Sequence, residues 1–282
     1  MKDELKLKRL CPNMVTMTAL CFGVSSLNMA YWGQWQMALT FIILAGIFDF
    51  LDGKIARMLG VGSHFGEELD SLSDFVSFGV APGFLMYQWT LDQEARINVL
   101  QSIAMRSDTV GILQNIGMRS DAVGISWVLV LFMAMCCAMR LARFNAMIGT
   151  ETPPYWRPFF MGVPAPAGAG LAVWPLICSL ATGGKIEFFR SPICVGTMLA
   201  LSGLLMASKI PTICLKHLHL SEGTIANIRI TLMLAIAGLV WMPWITLSLV
   251  GLTYVVCMPL GVIYFLKTRH TYLVAHPVRR KK

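Results

Sequence analysis

Charged residues are scarce in this 282-residue chain, at 13% of the total against about 25% in an ordinary soluble domain. Hydrophobic residues make up 56%, and the mean hydropathy is +0.65. Because so few charges cannot cover so much apolar surface in water, the composition excludes a disordered chain, a nucleic-acid-binding domain and a typical cytosolic enzyme. It predicts a membrane protein that crosses the bilayer several times.

Cysteine patterns that would indicate a zinc site or a disulfide framework are also lacking. The chain has eight Cys residues, none of them in a C-x-x-C pair, and most lie in apolar runs. Free Cys in such runs packs as a small hydrophobic residue. The sequence therefore predicts neither a zinc site nor structural disulfides.

Apolar runs long enough to cross a bilayer, at about 20 residues each, follow one another along the chain. We expect an all-α fold, a polytopic transmembrane bundle of about eight helices that forms one domain over 14–266. A short amphipathic interfacial segment, 1–13, precedes it, and a basic tail, 267–282, follows it. The predicted spans are 14–32, 35–51, 72–90, 125–147, 167–182, 192–210, 230–247 and 249–266. The segment 91–124, with a short tandem repeat at 105–111 and 118–124, is predicted to be an outer loop.

The positive charges predict the orientation of the bundle. If the chain alternates through eight spans, the side opposite the N-terminus holds only five of the 23 Lys and Arg residues: Arg96, Arg106, Arg119, Lys185 and Arg190. Because Lys and Arg concentrate in cytoplasmic loops, both termini are expected in the cytoplasm.

Acidic residues cluster where the second and third predicted spans meet. Asp49, Asp52, Gly53 and Ala56 are spaced as one face of a helix, and Asp70 and Asp74 are one helical turn apart. Two adjacent helices can therefore direct four carboxylates into one cavity: Asp49, Asp52, Asp70 and Asp74.

Four carboxylates in one cavity cannot all remain ionised without positive charge nearby. Two divalent cations would balance them, and oxygen-only ligands suit Mg²⁺ or Mn²⁺ rather than zinc. Because Mg²⁺ usually completes its coordination shell with phosphate oxygens, the expected substrate is a diphosphate. Arg57 can pair with phosphate, and Gly66 lets the loop approach a ligand closely.

The pattern Asp49-x-x-Asp52-Gly53-x-x-Ala56-Arg57, eight residues, then Gly66-x-x-x-Asp70-x-x-x-Asp74 resembles the signature of the CDP-alcohol phosphatidyltransferases. The resemblance implies a helical membrane enzyme with a two-metal site that moves a phosphatidyl group from a CDP-linked lipid to an alcohol and releases CMP. It implies metal binding by the four aspartates, with Asp74 also the general base. Asp52, Gly53, Ala56, Arg57 and Gly66 would bind the CDP end of the donor.

Four further stretches resemble the phosphatidylserine synthase branch of that family: 68–82, 139–145, 160–166 and 208–212. The branch implies CDP-diacylglycerol and L-serine as substrates, a homodimer, and a bacterial inner membrane with the active site on the cytoplasmic side. Arg140, Arg143 and Asn145 are candidates for binding the serine carboxylate or a lipid phosphate. Snorkelling to the membrane interface is the alternative role of the two arginines.

Other functions compete with serine transfer. The acceptor alcohol could be glycerol 3-phosphate or inositol in the same fold. From different classes, an intramembrane prenyltransferase would need a second aspartate motif, yet no Asp follows Asp121. A cation transporter could use the four carboxylates, but it should contain repeated helix pairs, which the sequence lacks.

Overall fold

A computed structural model describes residues 2–60, 63–91, 109–147, 159–213 and 222–275. Within these residues the fold is helical, as the sequence predicts, with one small antiparallel sheet. The helices are α1 (Lys2–Tyr31), α2 (Trp35–Leu59), α3 (His64–Asp74), α4 (Ala81–Met86), α5 (Thr109–Met147), α6 (Ala165–Ala172), α7 (Trp174–Ala181), α8 (Pro192–Ala207), α9 (Glu222–Trp241) and α10 (Pro243–Ala275). The remaining elements are π-helical turns at Phe75–Val80 and Tyr87–Leu91, a 3₁₀ turn at Glu187–Arg190, and strands β1 (Phe159–Met161) and β2 (Pro211–Ile213).

Helix ends follow local sequence signals around the acidic region. Helix α2 ends at Gly60, which adopts a left-handed conformation with φ of 62° and donates its N–H to the Ala56 and Arg57 carbonyls. Helix α3 begins after Ser63, whose hydroxyl accepts a hydrogen bond from the Gly66 N–H at 3.1 Å. A glycine stop and a serine cap thus set the end of α2 and the beginning of α3, the two aspartate-bearing helices.

Several helix boundaries differ from the predicted spans. Helix α1 runs without a break through Pro12, so the predicted segment 1–13 is the beginning of the first helix. Helix α5 begins at Thr109, so the prediction that the outer loop extends to 124 is wrong. The fifth predicted span is divided at Val173 into α6 and α7. The last two helices meet at Pro243 rather than near 248, because proline favours the first turn of a helix.

Three described helices are long and apolar enough to cross a bilayer: Leu10–Tyr31, Trp127–Met147 and Pro243–Lys267. Pro192–Ala207 and Arg229–Trp241 are shorter apolar helices. The chain is therefore a helical membrane protein. The count of eight spans and the orientation of the termini remain predictions.

The two strands join parts of the chain that are far apart in sequence. Strand β1 pairs with β2 in an antiparallel ladder in which Phe160 lies opposite Thr212. Gly162 follows β1 with φ of +78°, and a Cβ there would lie 2.8 Å from the Ser208 carbonyl oxygen. Only glycine satisfies both constraints, so this residue permits the close approach of the two segments.

The buried core fixes the helices around the acidic region. Helix α1 packs along α2, and α5 packs against α8 and against the π-helical turn Phe75–Val80. Phe78 of that turn is 1% exposed and belongs to the main apolar cluster. A Cβ at Gly23 of α1 would clash with Ser77, so the small residue lets α1 lie directly on this turn. Because the turn continues from Asp74, core packing also positions the end of α3.

Candidate active site

Three aspartates from two helices meet at the ends of α2 and α3. Carboxylate oxygens of Asp49, Asp70 and Asp74 lie within 4.8 Å of one another, and each side chain is half-buried. Asp70 and Asp74 share one face of α3, as their spacing predicts, and Asp49 faces them from α2. The structure thus brings together three of the four predicted ligands as a group that can bind a metal ion.

The fourth aspartate is adjacent but more deeply buried. Asp52 is 5% exposed, and its carboxylate interacts electrostatically with Asp49 and Asp70. One oxygen on each of three of these carboxylates is buried and has no hydrogen-bond partner among the described residues: Asp52 Oδ2, Asp70 Oδ1 and Asp74 Oδ1. A buried, unpaired carboxylate oxygen is costly unless a cation is bound to it. The donor set therefore fits hard divalent cations such as Mg²⁺ or Mn²⁺.

Burial also changes the acidity of Asp52 and Asp70, the two aspartates that lie outside the predicted membrane spans. Burial, more than any other cause, raises the pKa of Asp52 to about 6 and that of Asp70 to about 7. The charge of Asp49 raises both values further. Without a cation Asp52 therefore takes up a proton near pH 6 and Asp70 near pH 7, and metal binding below these values must displace those protons.

A cavity of about 340 Å³ lies beside the carboxylates, and Asp52 and Asp70 form part of its wall. Its remaining lining residues are Pro12, Asn13, Thr16, Gly53, Ala56, Arg57, Gly60, Ser63, Gly66 and Glu67. All five residues predicted to bind the CDP end thus border one space. We call it the polar cavity.

Sequence reasoning missed the contribution of α1 to the polar cavity. Pro12, Asn13 and Thr16 line it, and the Ser73 hydroxyl of α3 donates to the Thr16 carbonyl at 3.3 Å. A Cβ at Gly66 would lie 3.0 Å from Asn13 Oδ1, so Gly66 allows α1 to approach α3 closely. The only sequence signal was two polar residues, Asn13 and Thr16, one helical turn apart at the start of an apolar run.

The three candidate residues of α5 have different surroundings. Arg140 interacts electrostatically with Asp74 and Asp49, and its buried Nε has no hydrogen-bond partner among the described residues. Arg143 instead donates to the Ala207 carbonyl at 2.8 Å, at the end of α8. Asn145 donates through Nδ2 to the Ser71 hydroxyl of α3 at 3.0 Å. Of the three, the structure places Arg140 at the carboxylates and gives the other two structural partners.

These contacts connect the four stretches that resemble the phosphatidylserine synthase branch. Asn145 joins 139–145 to 68–82, and Arg143 joins 139–145 to the segment that begins at Ser208. The β ladder joins 160–166 to 208–212. Stretches that are separate in the sequence are therefore connected in the fold.

Comparison with known proteins supplies independent evidence of relationship. The family model described as CDP-alcohol phosphatidyltransferase matches residues 9–263. A Mycobacterium leprae protein called CDP-diacylglycerol–serine O-phosphatidyltransferase is 31% identical over 95% of this chain and 78% of its own length. A Helicobacter pylori protein of the same name is 30% identical over 71% of this chain and 70% of its own. An archaetidylserine synthase of Methanothermobacter thermautotrophicus is 31% identical over 56% of this chain and 54% of its own.

Proposed function

The chain belongs to the CDP-alcohol phosphatidyltransferase family, and from this premise we propose that it transfers a phosphatidyl group from CDP-diacylglycerol to L-serine. The products are phosphatidylserine and CMP. The observation that carries the proposal is the group of three carboxylates within 4.8 Å, placed beside a cavity lined by Gly53, Ala56 and Arg57. The relatives with serine-transferring names, aligned over most of the chain, support serine as the acceptor.

The polar cavity is the proposed site for the CDP end of the donor. Gly53 leaves space there, because a Cβ at this position would meet no heavy atom within 4 Å. Arg57 is held by a hydrogen bond from its Nε to the Gly53 carbonyl at 2.8 Å, which leaves its terminal nitrogens to pair with phosphate. Asp52, Ala56 and Gly66 form the adjacent wall.

Asp49, Asp70 and Asp74 are the proposed ligands of one divalent cation, and Asp52 with a neighbouring carboxylate those of a second. Bound Mg²⁺ or Mn²⁺ supplies positive charge that stabilises the transferring phosphoryl group and the departing CMP. The chain itself contributes fixed carboxylate positions on two helices and a core that prevents them from separating.

In the proposed reaction, the serine hydroxyl oxygen attacks the phosphorus that bears diacylglycerol. The bond between that phosphorus and the bridging oxygen of the diphosphate breaks, and CMP leaves with both electrons. The hydroxyl proton passes to a carboxylate, for which we propose Asp74. A positioned base of this kind contributes about 10²–10⁴-fold to the rate.

Arg140 is the best-placed of the three proposed contacts for the serine carboxylate or the lipid phosphate, because its charge interacts with those of Asp74 and Asp49. For Arg143 and Asn145 the hydrogen bonds favour a supporting role instead. Arg143 fixes α5 to the end of α8, and Asn145 fixes α5 to α3.

Glycerol 3-phosphate and inositol are the alternative acceptors, and a cation transporter is the alternative of another class. The match to a transferase family across 9–263 favours transfer over transport. Purified protein with CDP-diacylglycerol and Mg²⁺ or Mn²⁺ tests these possibilities when CMP release is followed with each acceptor in turn. We expect CMP release to require both L-serine and metal. We expect the Asp74→Asn variant to release no CMP. CMP release with another alcohol would assign that alcohol as the acceptor in place of L-serine. Metal-dependent ion flux without CMP release would support the transporter.

The family also suggests an arrangement in the membrane. We propose eight spans, both termini and the active site on the cytoplasmic side of a bacterial inner membrane, and a homodimer, the commonest symmetric oligomer. Reporter fusions after residues 184 and 282 test the orientation. We expect an external signal at the first position and a cytoplasmic signal at the second.

A further inference from the structure

A second cavity of about 280 Å³ lies among α2, the π-helical turn Phe75–Val80, α6, α7 and α10. We call it the apolar cavity, because aliphatic and aromatic side chains and glycines line it, among them Ile42, Phe78, Gly170, Leu171, Trp174 and Tyr254. Trp174 Nε1 already donates to the Ser248 carbonyl at 3.1 Å. The Tyr254 hydroxyl is therefore the one uncommitted polar side-chain atom among the residues that form this wall.

The Tyr254 hydroxyl connects the apolar cavity to the carboxylates. It is buried and has no hydrogen-bond partner among the described residues, and it interacts electrostatically with Arg140. Arg140 in turn interacts with Asp74 and Asp49, and its own buried Nε is also unpaired. Two unpaired polar groups thus lie between an apolar space and an anionic cluster suited to cations. A buried polar group of this kind normally has a hydrogen-bond partner.

The ligand that fits this arrangement is an amphiphile with an anionic head and an apolar tail. Its head would contact Arg140 and the cations bound by the carboxylates. Its tail would cover the apolar wall of the cavity. On the basis of the proposed function, we propose that the apolar cavity binds one acyl chain of the lipid donor and selects donors by chain length. Tyr254 and Arg140 bind the oxygens at the junction of chain and head group.

One wall position allows the cavity to be filled without disturbing its surroundings. A Cβ at Gly170 would meet no heavy atom within 4 Å, whereas a Cβ at Gly251 would lie 2.6 Å from the Trp174 ring. Leucine at position 170 therefore occupies cavity space, and it is also a better helix former than glycine. Gly170→Ala gives a graded comparison, because it adds the Cβ but leaves most of the cavity volume.

The test compares dihexanoyl and dipalmitoyl CDP-diacylglycerol as donors for the full-length protein in detergent micelles. We expect Gly170→Leu to lower kcat/KM for the dipalmitoyl donor by about tenfold or more. The loss should be smaller with the dihexanoyl donor, whose chains need less of the cavity, and smaller with Gly170→Ala than with Gly170→Leu. Equal losses with the two donors, or no loss with either, would overturn the inference.

Tyr254→Phe tests the polar end, since it removes the hydroxyl and keeps the ring. We expect a higher KM for both lipid donors and an unchanged KM for L-serine, with Tyr31→Phe on α1 as the control. An unchanged donor KM, or an equal change in the two KM values, would contradict the role of Tyr254. If wild-type protein releases no CMP from either donor, the proposed function fails first. If it releases CMP but Gly170→Leu does not alter chain-length preference, only the present inference fails.

Discussion

The polar and apolar cavities have similar volumes, about 340 and 280 Å³, but they are built in different ways. The polar cavity is lined by residues from 12 to 70, and most of them come from one α2–loop–α3 unit. The apolar cavity is assembled from five elements spread over residues 39 to 254. One local motif therefore supplies most of the polar cavity, whereas the apolar cavity depends on how distant helices pack.

The largest expected effect is on the carboxylate cluster beside the polar cavity. Asp49→Asn keeps the size of the side chain but removes one negative metal ligand, so we expect CMP release to fall by about 10³-fold. The assay is CMP release at saturating Mg²⁺ and L-serine. Glu68→Gln, an exposed charge change on α3 outside the cluster, should retain wild-type release. Near-normal release by folded Asp49→Asn protein would remove Asp49 from the site.

Filling the polar cavity should have a large effect that does not depend on the lipid tail. Because a Cβ at Gly53 has open space, Gly53→Leu occupies the cavity without a backbone clash. We expect kcat/KM to fall by about 10²-fold, by the same factor for dihexanoyl and dipalmitoyl donors. Measured beside Gly170→Leu, the pair separates head from tail recognition. A loss at Gly53 that depends on chain length would break the proposed division between the cavities.

Removing the positive charge of Arg57 from the polar cavity should have a smaller effect, which falls on donor binding. We expect Arg57→Gln to raise the KM for CDP-diacylglycerol by about tenfold, the usual contribution of a charge-assisted hydrogen bond, with kcat reduced less. Lys54→Gln removes an exposed charge one turn earlier on α2 and serves as the control. Equal KM increases in the two variants would indicate a general charge effect rather than a contact by Arg57.

The smallest expected effect is on stability and concerns metal-free protein. The raised pKa values of Asp52 and Asp70 mean that, between about pH 4 and pH 7, the folded protein binds more protons than the unfolded chain. Stability should therefore fall as pH rises, with a lower unfolding temperature in EDTA at pH 8 than at pH 5.

Added Mn²⁺ should restore stability mainly at pH 8, where protons compete less for the carboxylates. Asp70→Asn should show a weaker dependence on pH. Thermal unfolding in detergent measures both effects. A temperature that is constant or rises over this range would show that the two aspartates are not protonated in the metal-free fold.

The sequence by itself determined the membrane class, the helical fold and the acidic motif. Few charges in a long apolar chain require burial in lipid, and helical spacing places Asp70 and Asp74 on one face whatever surrounds them. The glycine and serine at the α2–α3 connection are also local signals, so the polar cavity was largely predictable from 49–74.

Only the tertiary structure decided the rest, because it depends on contacts between distant segments. No periodicity indicates that α1 completes the polar cavity through Asn13 and Thr16. Spacing alone gives Arg140 and Arg143 the same face, yet packing turns one toward the carboxylates and the other toward the end of α8. Likewise, Tyr254 is an ordinary residue of an apolar run until α10 packs beside α7, which buries its hydroxyl near Arg140.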